Sequence, residues 1–215
     1  MSVDLPLASG RTADVYALGE HRVLRRYRDG GDVRTEAEVM RYLRGHGYPV
    51  PEVFRADGPE LELTRVAGPT LTEAFVGGDA DVRSGARILA DLHRRLHALP
   101  ARRSGDPAVR VLHLDLHPGN VLLTADGPVV IDWRDTTEGP PELDGAMTAL
   151  IVAEVATDRT SALAGPARAL LAAFLAETGP PRLLAAAVAR RQGVGPLGDD
   201  RLTEAAALVR SVAHR

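Results

Sequence analysis

Asp115, Asn120 and Asp132 are the residues whose types and spacing could do chemistry in this chain. They lie in the stretch Val111 to Asp135, V-L-H-L-D-L-H-P-G-N-V-L-L-T-A-D-G-P-V-V-I-D-W-R-D. Asp115 stands five residues before Asn120, and Asp132 twelve after it. Val121, Leu122 and Leu123 read as a short strand, Ala125 to Pro128 as a turn, and Val129 to Ile131 as the returning strand. Such a hairpin brings Asn120, at the start of one strand, near Asp132, at the end of the other. Two hard oxygen ligands side by side suit Mg²⁺, and Asp115, on the loop leading in, is a third oxygen group available as a base.

Other readings of the same residues stand beside this one. A single Asp in a loop is commonly a solvated turn residue. His113, Asp115 and His117 alternate, so on a strand they would share one face and could form the metal cluster of a hydrolase. That reading leaves Asn120 and Ile131-Asp132-Trp133 without a role. His117 alone reads as structural, and Trp133 as core packing.

His113-Leu114-Asp115-Leu116 followed by Asn120 has the spacing of the protein-kinase catalytic loop, and Ile131-Asp132-Trp133 stands where those kinases carry D-F-G. The fuller form, H-x-D-x-H-P-G-N followed by I-D-W, resembles the aminoglycoside phosphotransferase family, the small-molecule branch of the kinase-like fold. The resemblance runs from about Gly10 to Asp144 and is thin beyond. It implies an α+β, two-lobed fold, with a small antiparallel-sheet N-lobe carrying one helix and a mainly helical C-lobe. The implied lobes are residues 1–67, which bind nucleotide, and 68–215, with the catalytic loop at 111–135 and the acceptor region.

The resemblance also implies roles. Asp115 would be the catalytic base, and Asn120 and Asp132 would hold Mg²⁺. Ser9 to Ala13, with Gly10, would be the nucleotide loop; the residues alone also read as a plain hairpin turn. Arg25 takes the place of the strand lysine that grips the α/β-phosphates. It would be held by Glu36 of the helix expected over Asp32–Arg44, with Glu38 as the competing choice. Thr64 to Val66 would be the hinge that meets the adenine edge, and Val15, Val23, Leu122 and Ile131 would sandwich the base. The implied cofactors are ATP, or GTP, and Mg²⁺. The implied reaction is γ-phosphate transfer to a hydroxyl of a small molecule, aminoglycoside-like or another metabolite. The alternative is a non-catalytic nucleotide-binding relative.

These residues need elements to position them, and 215 residues suffice for one large domain or two small lobes. Residues 3 to 28 alternate like a small antiparallel sheet. Val53-Phe54 and Glu60 to Val66 read as further strands, and Val82 to Leu99 is a strong amphipathic helix. Its His93 and His97, four apart, lack the acid of an H-E-x-x-H motif and read as packing or surface histidines. Asp144 reads as the N-cap of the next helix. Beyond it, 145–156, 161–177, 182–191 and 202–213 look helical, broken at Gly179-Pro180-Pro181 and over Gly193–Gly198. Asp135, Glu138, Glu142 and Glu154 are acids able to attract a cationic acceptor.

Composition narrows the partners. A net charge of −3 argues against binding driven by nucleic-acid phosphates. With no cysteine, disulfides, thiolate chemistry and zinc-thiolate sites are excluded. All 26 basic residues are arginine, so any cation placed on a phosphate must be a guanidinium. Met-Ser-Val-Asp-Leu-Pro is not a signal peptide, and no apolar run reaches spanning length. The cytoplasm is the expected compartment. The expected partner is a small hydroxylated acceptor, with no nucleic acid and no membrane; the sequence leaves the oligomeric state unknown.

Overall fold

The computed structural model describes residues 5–10, 12–193 and 199–214. Arg11 of the expected nucleotide loop and most of the expected 193–198 break lie outside these residues. The chain divides into two compact units. One takes the chain up to Gly68 together with Leu122–Arg134; the other takes Pro69–Val121 and Asp135–Arg215.

The first unit is built on a five-stranded antiparallel sheet: β1 (Ala8–Ser9), β2 (Ala13–Leu18), β3 (Arg22–Tyr27), β4 (Val53–Asp57) and β5 (Glu60–Thr64), in the order β1-β2-β3-β5-β4. Strand alternation decides its two faces. Register pairs Ala13 with Tyr27, Val15 with Arg25 and Arg25 with Leu61, so these residues share one face. Leu61, Leu63, Tyr27 and Ala13 bury that face. The opposite face carries the ion pairs Arg22–Glu62 at 2.8 Å and Arg26–Glu60 at 2.7 Å.

Helix α1 (Arg34–Gly45) buries Glu36, Ala37, Val39, Met40 and Leu43. Its N-cap is Val33, so the helix starts two residues later than the sequence suggests, and Asp32 Oδ1 accepts the Arg34 N–H at 2.9 Å. The hairpin of β7 (Val121–Thr124) and β8 (Gly127–Val130) follows β6 of the other unit. Val130 donates to the Pro49 carbonyl, and Trp133 is fully buried, edge-on to Tyr48.

Gly68 has φ +143°, and a Cβ there would overlap the Leu123 carbonyl oxygen. Gly68→Ala is therefore expected to destabilise the first unit by roughly 3 kcal/mol, the upper end of an overpacking cost. A denaturant titration reads this as a lower midpoint at unchanged slope, and an unchanged midpoint would refute it.

The second unit is mainly helical: α2 (Leu71–Gly77), α3 (Val82–His97), α4 (Pro141–Thr157), α5 (Ala164–Thr178), α6 (Leu184–Arg191) and α7 (Asp199–Ala213). Thr70 and Glu73 close a capping box on α2, and Asp81 caps α3. Helix α4 is apolar on every side and buried on nearly every side, with α3, α5, α6 and α7 packed against it. It starts at Pro141, earlier than the sequence suggests, because β6 (Arg110–Leu112) pairs with β9 (Thr137–Gly139) and brings the chain directly to it. Among the described residues, no helix is long and apolar enough to cross a membrane.

Candidate functional site

The chemistry-bearing residues form a cluster in each unit. In the first, Arg25 leaves β3 on the buried face and meets two carboxylates. Its Nη1 donates to Glu36 Oε1 at 3.0 Å, and its Nη2 forms a close ion pair with Asp132 Oδ1. Glu36 also accepts from Tyr27 Oη at 2.7 Å and from the Trp133 backbone N–H. Glu38, the competing choice, is exposed, whereas Glu36 is buried.

Burial alone would lower the Arg25 guanidinium, but Asp132 and Glu36 hold it above its usual value. Burial pushes the Glu36 carboxyl up against the opposing effects of Arg25 and Tyr27. The forked guanidinium holds two acids at once. Asp132 has φ +65°, in the left-handed region. A non-glycine residue there costs about 1–3 kcal/mol and is held by its surroundings, here the Arg25 pair and the anchored Trp133.

The remaining residues assigned to the nucleotide also lie in this unit. Gly10 follows β1, and its N–H donates to the Ala13 carbonyl at 2.9 Å. That N–H is already engaged. Val15, Val23, Leu122 and Ile131 are all half-buried. The Thr64 N–H bonds the Glu52 carbonyl and the Arg65 N–H the His21 carbonyl, each under 3 Å. Val66, beyond the strand, is half-buried, and its N–H is not engaged by a backbone carbonyl among the described residues.

In the second unit β6 ends at Leu112, so His113, Asp115 and His117 do not alternate along a strand as the hydrolase reading requires. Leu114 has φ +66° and turns the loop. Asp115, with about a fifth of its side chain exposed, is surrounded by donors. Asn120 Nδ2 donates to its carbonyl at 2.8 Å and to its Oδ2 at 3.1 Å. The His117 ring accepts the Gly119 N–H at Nδ1, 3.0 Å, which leaves Nε2 as its N–H, 3.7 Å from Asp115 Oδ2. Burial pushes the Asp115 carboxyl up, but His117, His113 and Arg191 outweigh it and hold it below the usual carboxylate range.

Each in its own unit, Asn120 and Asp132 offer oxygens of the kind Mg²⁺ takes. With Nδ2 of Asn120 engaged by Asp115, its Oδ1 accepts no hydrogen bond among the described residues. Arg25 engages only one oxygen of Asp132. Carbonyl and carboxylate oxygens are the ligands this hard cation takes.

Two features escape a sequence reading. Asp144 is not an N-cap; Pro140 holds that place, and Asp144 sits fully buried within the first turn of α4. Its Oδ1 accepts the Leu114 N–H at 2.7 Å, and its Oδ2 accepts the His113 N–H and the His97 Nε2 at 3.0 Å. His93 lies behind it, with Nε2 2.9 Å from Thr148 Oγ1, which itself donates to the Leu116 carbonyl. These histidines pack beneath the loop that carries Asp115 rather than lying on the surface. His93, His97 and Asp144 have the proximity of a metal cluster, but both Asp144 oxygens already accept backbone N–H groups.

The second feature is Arg191, at the end of α6. It is bidentate to Glu154 of α4, at 2.5 and 3.0 Å, and its Nη1 stands 3.8 Å from Asp115 Oδ1. A signal for it exists: Glu154 is a lone acid in the apolar run Ala149 to Ala156, and a buried charge demands a partner.

Comparison with known proteins bears on the family and the fold. Residues 4–110 and 87–186 match the model of the phosphotransferase enzyme family. No curated protein matches the sequence. Among solved structures, the gentamicin complex of APH(2")-IIa is 13% identical at a TM-score of 0.59, over 95% of this chain and 90% of that one. The aminoglycoside-3'-phosphotransferase of type VIII is 21% identical at 0.56, over 99% and 92%. The amicoumacin kinase hAmiN, in complex with AMP-PNP, Ca²⁺ and Ami, is 13% identical at 0.57, over 98% and 87%. At such identities the likeness establishes the fold, which is the protein-kinase-like α+β fold. With most of its length matched by the family model, the chain belongs to the phosphotransferase enzyme family.

Proposed function

We propose that the protein transfers the γ-phosphate of ATP, or of GTP, to a hydroxyl of a small molecule, with Mg²⁺ bound by Asn120 and Asp132. The observation that carries this reading is the Arg25–Glu36–Asp132 cluster, which holds a cation and a potential metal ligand together in the first unit. Phosphoryl transfer asks the protein mainly for positioning and charge neutralisation. Bound Mg²⁺ would neutralise phosphate oxygens. Arg25, oriented by Glu36, grips the α/β-phosphates through the part of its fork that leaves Asp132. Val15, Val23, Leu122 and Ile131 cover the base, Thr64 to Val66 edge it, and Gly10 approaches the phosphates. Asp115 receives the acceptor hydroxyl and takes its proton, and its ionised state supports that role. Structures of relatives described with AMP-PNP, as for hAmiN, support a nucleotide ligand. The cytoplasm supplies both nucleotide and metal.

Calorimetric titration of ATP and GTP, with and without Mg²⁺, tests the reading. Saturable binding strengthened by Mg²⁺ is expected in the wild type, and Asp132→Ala is expected to lose the Mg²⁺-dependent part. The non-catalytic reading draws on the arginine in the lysine position. It takes over if nucleotide binds but no hydroxyl compound is phosphorylated. Absence of binding by either nucleotide would overturn both.

A further inference from the structure

Arg191 is the one guanidinium that stands against the Asp115 carboxylate among the described residues. Its side chain is 11% exposed and that of Glu154 4%. Nε and Nη2 are both taken by Glu154, which fixes the plane of the fork. Nη1 lies 3.8 Å from Asp115 Oδ1, beyond hydrogen-bond distance, so its N–H groups remain available beside the base. Holding two charges out of water is costly, and removing one partner of such a pair is strongly destabilising. The arrangement therefore holds a rigid positive edge where a substituent of an acceptor hydroxyl would lie.

The acids that could receive a cationic acceptor are largely committed elsewhere. Glu154 is held by Arg191. Glu138 accepts the backbone N–H groups of Arg102, Arg103 and Ser104, at 2.9 to 3.2 Å. Asp135 and Glu142 remain exposed. An ammonium group beside the reacting hydroxyl would meet the Arg191 guanidinium at close range, and Asp115 is the one carboxylate beside both that Glu154 and Glu138 leave to offset it.

We propose that Arg191 is the acceptor-recognition residue of this protein, and that the acceptor carries a carboxylate or phosphate oxyanion close to the hydroxyl that is phosphorylated. This rests on Asp115 being the group that receives that hydroxyl. Arg191 binds the oxyanion through Nη1, Glu154 keeps the fork in place, and a polycationic acceptor is disfavoured.

The test follows the arginine Nε–H resonances of the 215-residue chain with Mg²⁺ and AMP-PNP present, assigning Arg191 by its loss in Arg191→Gln. D-glycerate probes a carboxylate beside a hydroxyl, inorganic phosphate probes the phosphate class, and 2-deoxystreptamine probes a cationic acceptor. A saturable shift of Arg191 with glycerate or phosphate is expected, and which of the two binds more tightly identifies the anion. Affinity for that probe should fall about tenfold or more in Arg191→Gln, the loss of one charge-assisted hydrogen bond. The double variant Arg191→Met/Glu154→Met, in which no buried charge is left alone, should show the same loss if the single variant unfolds. No response of Arg191 to either anion, or a response to 2-deoxystreptamine instead, overturns the inference. Failure of AMP-PNP to move the Arg25 resonance would count against the nucleotide reading, and is distinguishable from either result at Arg191.

Discussion

Asp115→Asn is expected to cut phosphoryl transfer by about 10²–10⁴-fold, the usual contribution of a positioned base, while Mg²⁺-nucleotide affinity stays close to wild type. The asparagine keeps the shape of the side chain and can still accept from Asn120 Nδ2, which donates to Oδ2 at 3.1 Å. What it loses is the ability to take a proton. The wild-type carboxyl is held below the usual range despite its burial, because His117, His113 and Arg191 favour its charge. The carboxyl is therefore ionised at neutral pH. Side-by-side turnover and calorimetry check this: a variant that retains turnover removes the role assigned to Asp115. A variant that loses nucleotide affinity in parallel would make it a structural residue instead.

Asp144→Ala should have the largest effect on stability. The carboxylate is fully buried and accepts two backbone N–H groups of the loop and the His97 ring. Its removal leaves buried donors without partners and is expected to cost about 3–5 kcal/mol. For a chain of this size that lowers Tm by roughly 6–20 °C. The loop should also lose the left-handed turn at Leu114, so turnover falls with stability.

The pH dependence has a defined sign. Burial pushes the Asp144 carboxyl up, but the His93 ring beside it and the His97 hydrogen bond pull it well below its usual value. A depressed folded-state value means that the stabilisation is fully present above the unfolded value of about 3.9 and is lost as pH falls toward the folded one. The stability gap between wild type and Asp144→Asn should thus be constant near neutrality and shrink below about pH 4. Chemical denaturation across that range measures it, and a gap that widens on acidification would contradict the assignment.

Much of this architecture is legible from local sequence. The alternation in residues 13–27, the turn chemistry of Ala125 to Pro128 and the apolar stripe of residues 82–97 each describe a neighbourhood of a few residues. In these places β2, β3, the β7–β8 hairpin and α3 all form. Where prediction and structure part, a distant partner decides. Asp144 carries the helix-start signal of an acid after Gly139-Pro140-Pro141, yet Pro140 caps the helix and the carboxylate turns inward to His113 and Leu114. The alternation of His113, Asp115 and His117 has the period of a strand. Leu114 breaks it, because Asp144 stabilises a backbone turn that leucine does not choose by itself.

By itself, the sequence determined which groups are available and in what order: the carboxylates Asp115 and Asp132, the carboxamide Asn120, arginine as the sole strong cation, and the hairpin that Asn120 enters and Asp132 leaves. These follow from composition, spacing and turn chemistry, which are properties of neighbouring residues. Only the tertiary structure decided that Arg25 bonds Asp132 as well as Glu36, that Asp144 holds the loop, and that Arg191 reaches Asp115 from the end of α6. Each is a charge removed from water, and a buried charge is tolerated only beside the partner that packing brings to it. That partner lies far along the chain, so no local pattern names it.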